Sequence, residues 1–281
     1  MELQHIKHLL PTTLDNIGRN VCGMSTGLSG LDTITSGLHP GLAIVASRPC
    51  MGKTTLALGI ATHAALALSR KVTVLSNRDS EAFVATRLLF HVAGLPISKN
   101  WSELSEPEQS KVKSASKQLS EADINIIDCS GMKLDDIGNE LMRIHEGDDR
   151  GLVVIDDIQG MAQSNFMHCK PSQEEMAGLL AGLKALSEDL QVPFLLLSCL
   201  PRSVERRDGR RPILRDLEKR GVLRVYANLM ILLYKRSFYF LDSLHPDRVE
   251  FAIAKNTNGR IGTLYMDFDS DTGLFRGNCD D

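Results

Sequence analysis

Two rhythms of apolar and polar positions alternate along the chain. Short unbroken aliphatic runs occur near 42–46, 72–76, 124–128, 151–156, 193–198, 229–234 and 249–255, and their length and β-branched content predict strands. Between them, apolar residues recur three and four positions apart, which predicts helices over 53–68, 80–93, 105–119, 133–146 and 174–190. Strands that are apolar throughout, rather than at every second position, are buried on both faces. Their alternation with helices therefore predicts an α/β fold: a mostly parallel, twisted sheet with helices on both faces. The turn-rich Asp269-Ser270-Asp271-Thr272-Gly273 predicts a C-terminal β-hairpin that closes the sheet. Residues 1–23 carry Ile6, Leu9, Leu10, Leu14 and Ile17 near helical spacing, interrupted by Pro11. They read as a short helical segment with one apolar face, which either caps the domain's own core or docks on a neighbouring copy. The main domain then occupies 24–281.

Composition narrows this picture without changing it. The 281 residues are 43% hydrophobic and 24% charged, which suits one large α/β domain with a generous core. A net charge of −3 gives no global attraction to polyanions. Locally, however, Arg202–Arg224 holds nine Lys/Arg against four Asp/Glu. The six cysteines are scattered with no C-x-x-C pair, so the sequence suggests neither a disulfide framework nor a zinc ribbon. With no basic-then-apolar leader and no long uncharged apolar stretch, a cytoplasmic location away from membranes is expected.

The decisive chemistry lies at the end of the first strand. Leu42–Ala46 runs into Ser47-Arg48-Pro49-Cys50-Met51-Gly52-Lys53-Thr54-Thr55, the spacing of a P-loop with Ser47 in the place of the first glycine. Backbone N–H groups of such a loop, with the positive end of the following helix, solvate phosphate oxygens. Lys53 is expected to reach the β- and γ-phosphates of ATP, and the Thr54 hydroxyl to ligate Mg²⁺. A second signal follows in Leu152-Val153-Val154-Ile155-Asp156-Asp157, a buried strand that delivers a carboxylate to the edge of the sheet. That is a Walker B pattern, and it makes Asp156 the metal partner of Thr54 and a catalytic residue beside Lys53.

Several ordered blocks resemble the C-terminal motor domain of DnaB-type replicative DNA helicases. Thr26-Gly27-Leu28-Ser29-Gly30-Leu31-Asp32 is similar to that family's entry segment, and Arg48-Pro49-Cys50-Met51-Gly52-Lys53-Thr54 to its phosphate loop. Leu200-Pro201-Arg202-Ser203-Val204-Glu205-Arg206-Arg207, Asp216-Leu217 and Ile253-Ala254-Lys255 with Asn258-Gly259 extend the match. The resemblance implies a RecA-like P-loop NTPase that binds ATP and Mg²⁺ and works on single-stranded DNA. It also implies a homo-oligomeric ring, a hexamer in the family, in which a linker segment like residues 1–23 docks on the next subunit. The match begins at that linker, so no collar of N-terminal domains is expected. RecA, KaiC or RadA relatives share the entry segment and loop, but the Arg-Pro-x-Met-Gly-Lys-Thr and Arg-Ser-Val-Glu blocks argue against them.

The same resemblance exposes departures where the chemistry resides. The family's water-activating glutamate corresponds to Arg78 in Ser76-Asn77-Arg78-Asp79-Ser80, and a cation cannot accept water's proton. Asp79 and Asp157 are the candidate substitutes, although a shift of one residue at a strand end turns a side chain to the other face. Cys199 stands at the polar sensor that reads the γ-phosphate. Lys255 matches the lysine that the family inserts into the neighbouring subunit's site, but Thr257 replaces the accompanying arginine, whose loss typically costs about 10³–10⁵ in rate. Arg260 lies nearby. The DNA-binding loop corresponds to Asp216-Leu217-Glu218-Lys219-Arg220-Gly221, where Lys219, Arg220 and Gly221 would track the DNA backbone. Few aromatics flank this patch in sequence, so base stacking is not expected there. Two functions follow: a helicase domain with weakened hydrolysis, or a nucleotide-binding paralogue without turnover that regulates or partners a true helicase.

Overall fold

The computed structural model describes residues 23–147, 151–166, 171–218, 222–240 and 243–277. Its elements run α1 (Ser29–Thr35), β1 (Gly41–Ser47), α2 (Lys53–Thr62), β2 (Val72–Ser76), α3 (Glu81–Ala93), α4 (Glu106–Glu121) and β3 (Ile124–Asp128). They continue with α5 (Leu134–Ile144), β4 (Leu152–Asp156), α6 (Ile158–Phe166), α7 (Gln173–Leu190) and β5 (Pro193–Cys199). The last are α8 (Arg215–Glu218), α9 (Val222–Tyr226), β6 (Ala227–Tyr234), β7 (Arg248–Asn256), β8 (Gly262–Asp269) and β9 (Leu274–Arg276). One nine-stranded sheet has the order β3-β2-β4-β5-β1-β6-β7-β8-β9. Strands β3 to β6 in that order are parallel, and β7 to β9 are added antiparallel.

The parallel half is as the aliphatic runs predict. β1, between β5 and β6, is buried at every residue, which is why its sequence shows no polar alternation. Its side chains divide between two cores: Ala43 and Val45 join the cluster under α2 and α3, whereas Leu42, Ile44 and Ala46 join that under α5, α6 and α7. Helix starts follow local capping chemistry. Ser80 accepts from the Phe83 amide, and Ser105 with Glu108 and Ser172 with Glu175 form capping boxes.

Some boundaries differ from the sequence reading. The helix expected over 53–68 ends its α-geometry at Thr62 and continues as a π-helical turn, His63–Ala67. Helices α1, α6, α8 and α9 are additions to the sequence expectation. In α6 the buried Ile158, Met161 and Ala162 follow the Asp156-Asp157 pair, and Asp157 Oδ1 accepts from the Gly160 amide at 2.8 Å at the helix start. The predicted hairpin forms as β8 and β9. Its Phe275 meets Phe251 of β7 edge-on at 5.3 Å and Phe268 of β8 at 4.7 Å, which packs the hairpin on the sheet. A Cβ on Gly52 would come within 3.0 Å of the Phe275 ring.

The entry segment is fixed by one carboxylate. Asp32 accepts hydrogen bonds from the Thr26 amide (2.9 Å), the Thr26 hydroxyl (2.7 Å) and the Ser25 hydroxyl (2.7 Å), so Gly27 packs against His63 at the end of the P-loop helix. Residues 1–22, which hold nearly all of the expected helical segment, lie outside the described residues.

Candidate active site

In an open parallel sheet, ligands bind at the carboxyl ends of the strands, where helix N-termini converge. That edge here carries Ser47, Ser76, Asp156 and Cys199, with Ser47 in register with Cys199 and Ser76 with Asp156. The loop leaving Ser47 turns through positive φ at Cys50 (64°) and Gly52 (84°) before α2 begins at Lys53. Such a left-handed turn aims successive backbone N–H groups inward. Ser47 is fully buried and donates its hydroxyl to the Arg48 carbonyl at 2.8 Å. Arg48 is tied sideways, from Nε to Glu205 at 2.8 Å and from Nη1 to the Leu200 carbonyl at 2.8 Å, and the Arg48 hydrogen bond lowers the Glu205 pKa. Arg48 thus anchors the loop, and Pro49 offers no N–H at all. Met51 is buried, whereas Cys50 is exposed.

Lys53, Thr54 and Asp156 come together. The Thr54 hydroxyl donates to Asp156 Oδ2 at 2.8 Å, and Lys53, only 9% exposed, acts on the same carboxylate. Burial raises the Asp156 pKa, against the opposing influence of Thr54 and Lys53. Two oxygen donors beside a placed cation suit Mg²⁺, which binds one or two carboxylates plus substrate phosphates rather than a full protein cage. No cluster of three or more His, Cys, Asp or Glu able to hold a metal occurs among the described residues. Asp79 and Arg87 line a gap with Thr54 and Asp156. Its volume of about 10 Å³ is close to the room one water needs.

The departures at Arg78 and Cys199 form a cluster of their own. Arg78 Nη1 lies 3.0 Å from Asp157 Oδ2 and 3.8 Å from Cys199 Sγ, and Cys199 Sγ lies 3.6 Å from the same Asp157 oxygen. Asp157 raises the Arg78 pKa further, and its own side chain is only 4% exposed. Asn77 donates to the Asp157 carbonyl at 2.8 Å, while Gln159 links Ser198 (2.7 Å) to the Cys199 amide (3.1 Å). Asp79, the other candidate base, pairs with Arg87 at 3.3 Å. Asp157 and Asp79 are therefore both engaged by arginines. The one-residue shift does not turn Asp79 away from the site, contrary to the simple strand-end expectation, because the chain turns at Asn77–Asp79 instead of continuing extended.

A cleft of about 150 Å³ opens beside the loop, lined by Thr55, Arg87, Phe90, His91, Phe268 and Gly273 among others. Sequence reasoning passed over Arg87, although its position three residues after the buried Val84 puts it on the same side of α3. Lys255 stands elsewhere. It pairs with Met230, which pairs with Ile44 in the middle of β1, and its ammonium reaches away from the Ser47 edge to donate to the carbonyl of Arg224, just before β6, at 2.8 Å. Burial lowers its pKa, assisted by Lys184 and Arg224. Thr257 and Arg260 are exposed in the turn after it. Lys219, Arg220 and Gly221 lie outside the described residues, but the segment leading to them is anchored by Arg207, which grips Asp216 through two bonds of 2.9 and 2.6 Å.

The pattern matches the model of the DnaB-like helicase C-terminal domain over residues 23–277. The chain belongs to that family. It is 32% identical over 273 residues to the replicative DNA helicase DnaB of Geobacillus stearothermophilus, and 30% identical over 273 residues to the replicative DNA helicase DnaC of Bacillus subtilis. Each alignment covers 94% of this chain and 60% of the relative, so the chain spans about three fifths of those proteins' length. Among solved structures, the ATPase domain of G40P superposes with a TM-score of 0.89 at 26% identity, covering 98% of this chain and 99% of that one. A DnaB-like replicative helicase studied with primase superposes at 0.85 and 26% identity, covering 98% and 67%. The α/β architecture is thus the RecA-like fold of DnaB ATPase domains. No described helix is long and apolar enough to cross a membrane.

Proposed function

We propose that this DnaB-like domain binds ATP with Mg²⁺ and acts on single-stranded DNA as part of a ring, in the cytoplasm, with slowed hydrolysis. The observation that carries the nucleotide reading is the 2.8 Å bond between Thr54 and Asp156, which brings the loop hydroxyl and the strand-end carboxylate to one point beside Lys53. Bound Mg²⁺ would supply charge neutralisation between the β- and γ-phosphates. Ser47 to Thr55 would cradle the phosphates through backbone N–H groups, Lys53 would neutralise them, and Thr54 with Asp156 would hold the metal. The cleft beside Arg87 and Phe268 suits the nucleoside.

Slow turnover is supported by the state of the acids. A general base must be within reach of the attacking water and able to take its proton. Asp157 is held by Arg78 and Asp79 by Arg87. Lys255, whose ammonium is turned away from its own phosphate loop onto the Arg224 carbonyl, suits a role in a neighbouring copy's site, which favours a homo-oligomer, a hexamer in this reading, or assembly with a related helicase. Segments 1–23 would then dock between subunits, and Lys219, Arg220 and Gly221 would follow the DNA strand.

The second reading, a nucleotide-binding partner without turnover, is favoured by the Arg78–Asp157–Cys199 cluster. An ATPase assay with and without single-stranded DNA separates the two. Slow, DNA-stimulated phosphate release supports the first, and nucleotide binding without any release supports the second. A brisk rate would contradict both.

A further inference from the structure

Across β6, β7 and β8, Tyr234 is in register with Glu250 and Glu250 with Tyr265. Their chain neighbours Leu233, Phe251 and Leu264 belong to the core beneath the P-loop helix. Since successive strand residues point to opposite faces, the three polar side chains share the other face of the sheet, away from the nucleotide cleft. There they line a cavity of about 450 Å³ together with Arg211, Arg236 and Arg248. Arg211 lies over the Tyr234 ring at 5.6 Å and Arg248 over Tyr265 at 5.5 Å, while Arg236 lies over Phe240 at 4.7 Å. Arg211 also pairs with Glu250 at 2.9 Å.

The fold corrects the sequence expectation that this basic region lacks aromatics. The arginine-rich stretch is poor in rings along the chain, but β6, β8 and the segment after β6 bring tyrosine and phenylalanine to it. Arg210, next to Arg211, lies over Tyr239 at 5.2 Å and Phe240 at 5.5 Å. Guanidinium–ring stacks present a cation for phosphate beside a flat apolar surface for a base. That combination is how single strands are bound without sequence preference. An acidic peptide would use the cations but has no need of the rings. The volume is near the low end of the range for small-molecule sites, enough for one nucleotide unit. Arg210 and Arg211 belong to the same stretch that leads through the Arg207–Asp216 anchor toward residues 219–221.

We propose that this arginine–tyrosine cleft is a second contact for single-stranded nucleic acid, seating one nucleotide with its phosphate on Arg236 and Arg248 and its base against Tyr265. It rests on the reading that the chain acts on single-stranded DNA.

The test is anisotropy of a labelled oligothymidylate with the full chain, Mg²⁺ and a non-hydrolysable ATP analogue, over a series of salt concentrations. Arg236→Ala and Arg248→Ala are expected to weaken binding about ten-fold and to lower the salt slope by about one each. Tyr265→Leu is expected to weaken it similarly with the slope unchanged, a split that general misfolding would not produce. All three should keep wild-type affinity for the ATP analogue. A 5-iodouracil-substituted strand should also crosslink to the peptide containing Tyr265. If the wild type binds DNA and the variants match it in affinity and slope, the cleft is not a nucleic-acid site. The cleft is equally excluded if polyglutamate, but not oligothymidylate, responds to the variants, since that marks an acidic protein partner. If the wild type binds no DNA, the parent reading falls together with the cleft.

Discussion

Arg78 holds Asp157 at 3.0 Å, joining the turns that follow β2 and β4 at the edge of the sheet where the P-loop emerges. The guanidinium occupies the position at which DnaB-type relatives are expected to place a proton-accepting glutamate, and it engages Asp157, one of the two substitute acids. Changing that pair should therefore change turnover. Wild-type ATP hydrolysis is expected to lie about 10²–10⁴ below that of relatives with a positioned base. Arg78→Glu should raise it, and Arg78→Glu with Asp157→Asn, which removes the resulting like-charge contact, should raise it further, by about ten-fold or more. Steady-state phosphate release reads the outcome, and a double variant no faster than wild type would contradict this role.

Asp156 is expected to show a conflict between stability and binding. Burial lifts its carboxyl pKa, so its ionised form destabilises the fold at neutral pH, and stability from this group is gained as pH falls through the raised value. Asp156→Asn keeps an acceptor for Thr54 and discards the charge. Thermal melts without nucleotide should show a rise of a few degrees, while Mg²⁺-dependent nucleotide affinity is lost. A lower melting temperature in the variant would contradict the assignment of burial as the dominant cost.

His145 gives the opposite dependence on pH. It is buried against Thr73, whose hydroxyl lies 3.0 Å from Nε2, and burial pushes its pKa down to about 4 from an ordinary 6.5. The unfolded chain takes up the proton first. Stability from the neutral imidazole is complete above about pH 6.5 and is lost as pH falls toward 4. Melts across that interval should fall more steeply for wild type than for His145→Phe, and equal slopes would show that another group is responsible.

What could be read from the residues follows the range of the interactions. β1, the P-loop and β4 are local patterns, and the meeting of Thr54 with Asp156 follows once β4 is placed in a parallel sheet. The capped starts of α3, α4 and α7 are likewise carried by neighbours in sequence. The Arg78–Cys199 contact joins residues 121 positions apart, so the two departures look independent until the strand order sets their ends side by side. The same holds for Arg248 over Tyr265 and Arg211 over Tyr234, which arise from cross-strand register and a loop packed beside it. α6 does carry a local start signal, since Asp157 accepts from the Gly160 amide, but the Asp156-Asp157 pair also reads as a strand-end acid motif, and that reading takes it up.

Titration calorimetry of Mg²⁺–ATP into the wild type and Lys53→Ala measures the central claim most directly, because the nucleotide site depends on the buried ammonium beside Asp156. Saturable binding by the wild type is expected, with no measurable heat from a Lys53→Ala variant that retains its fold by circular dichroism. Equal affinity in the two proteins, or no binding by the wild type, would contradict the assignment of this loop as the nucleotide site.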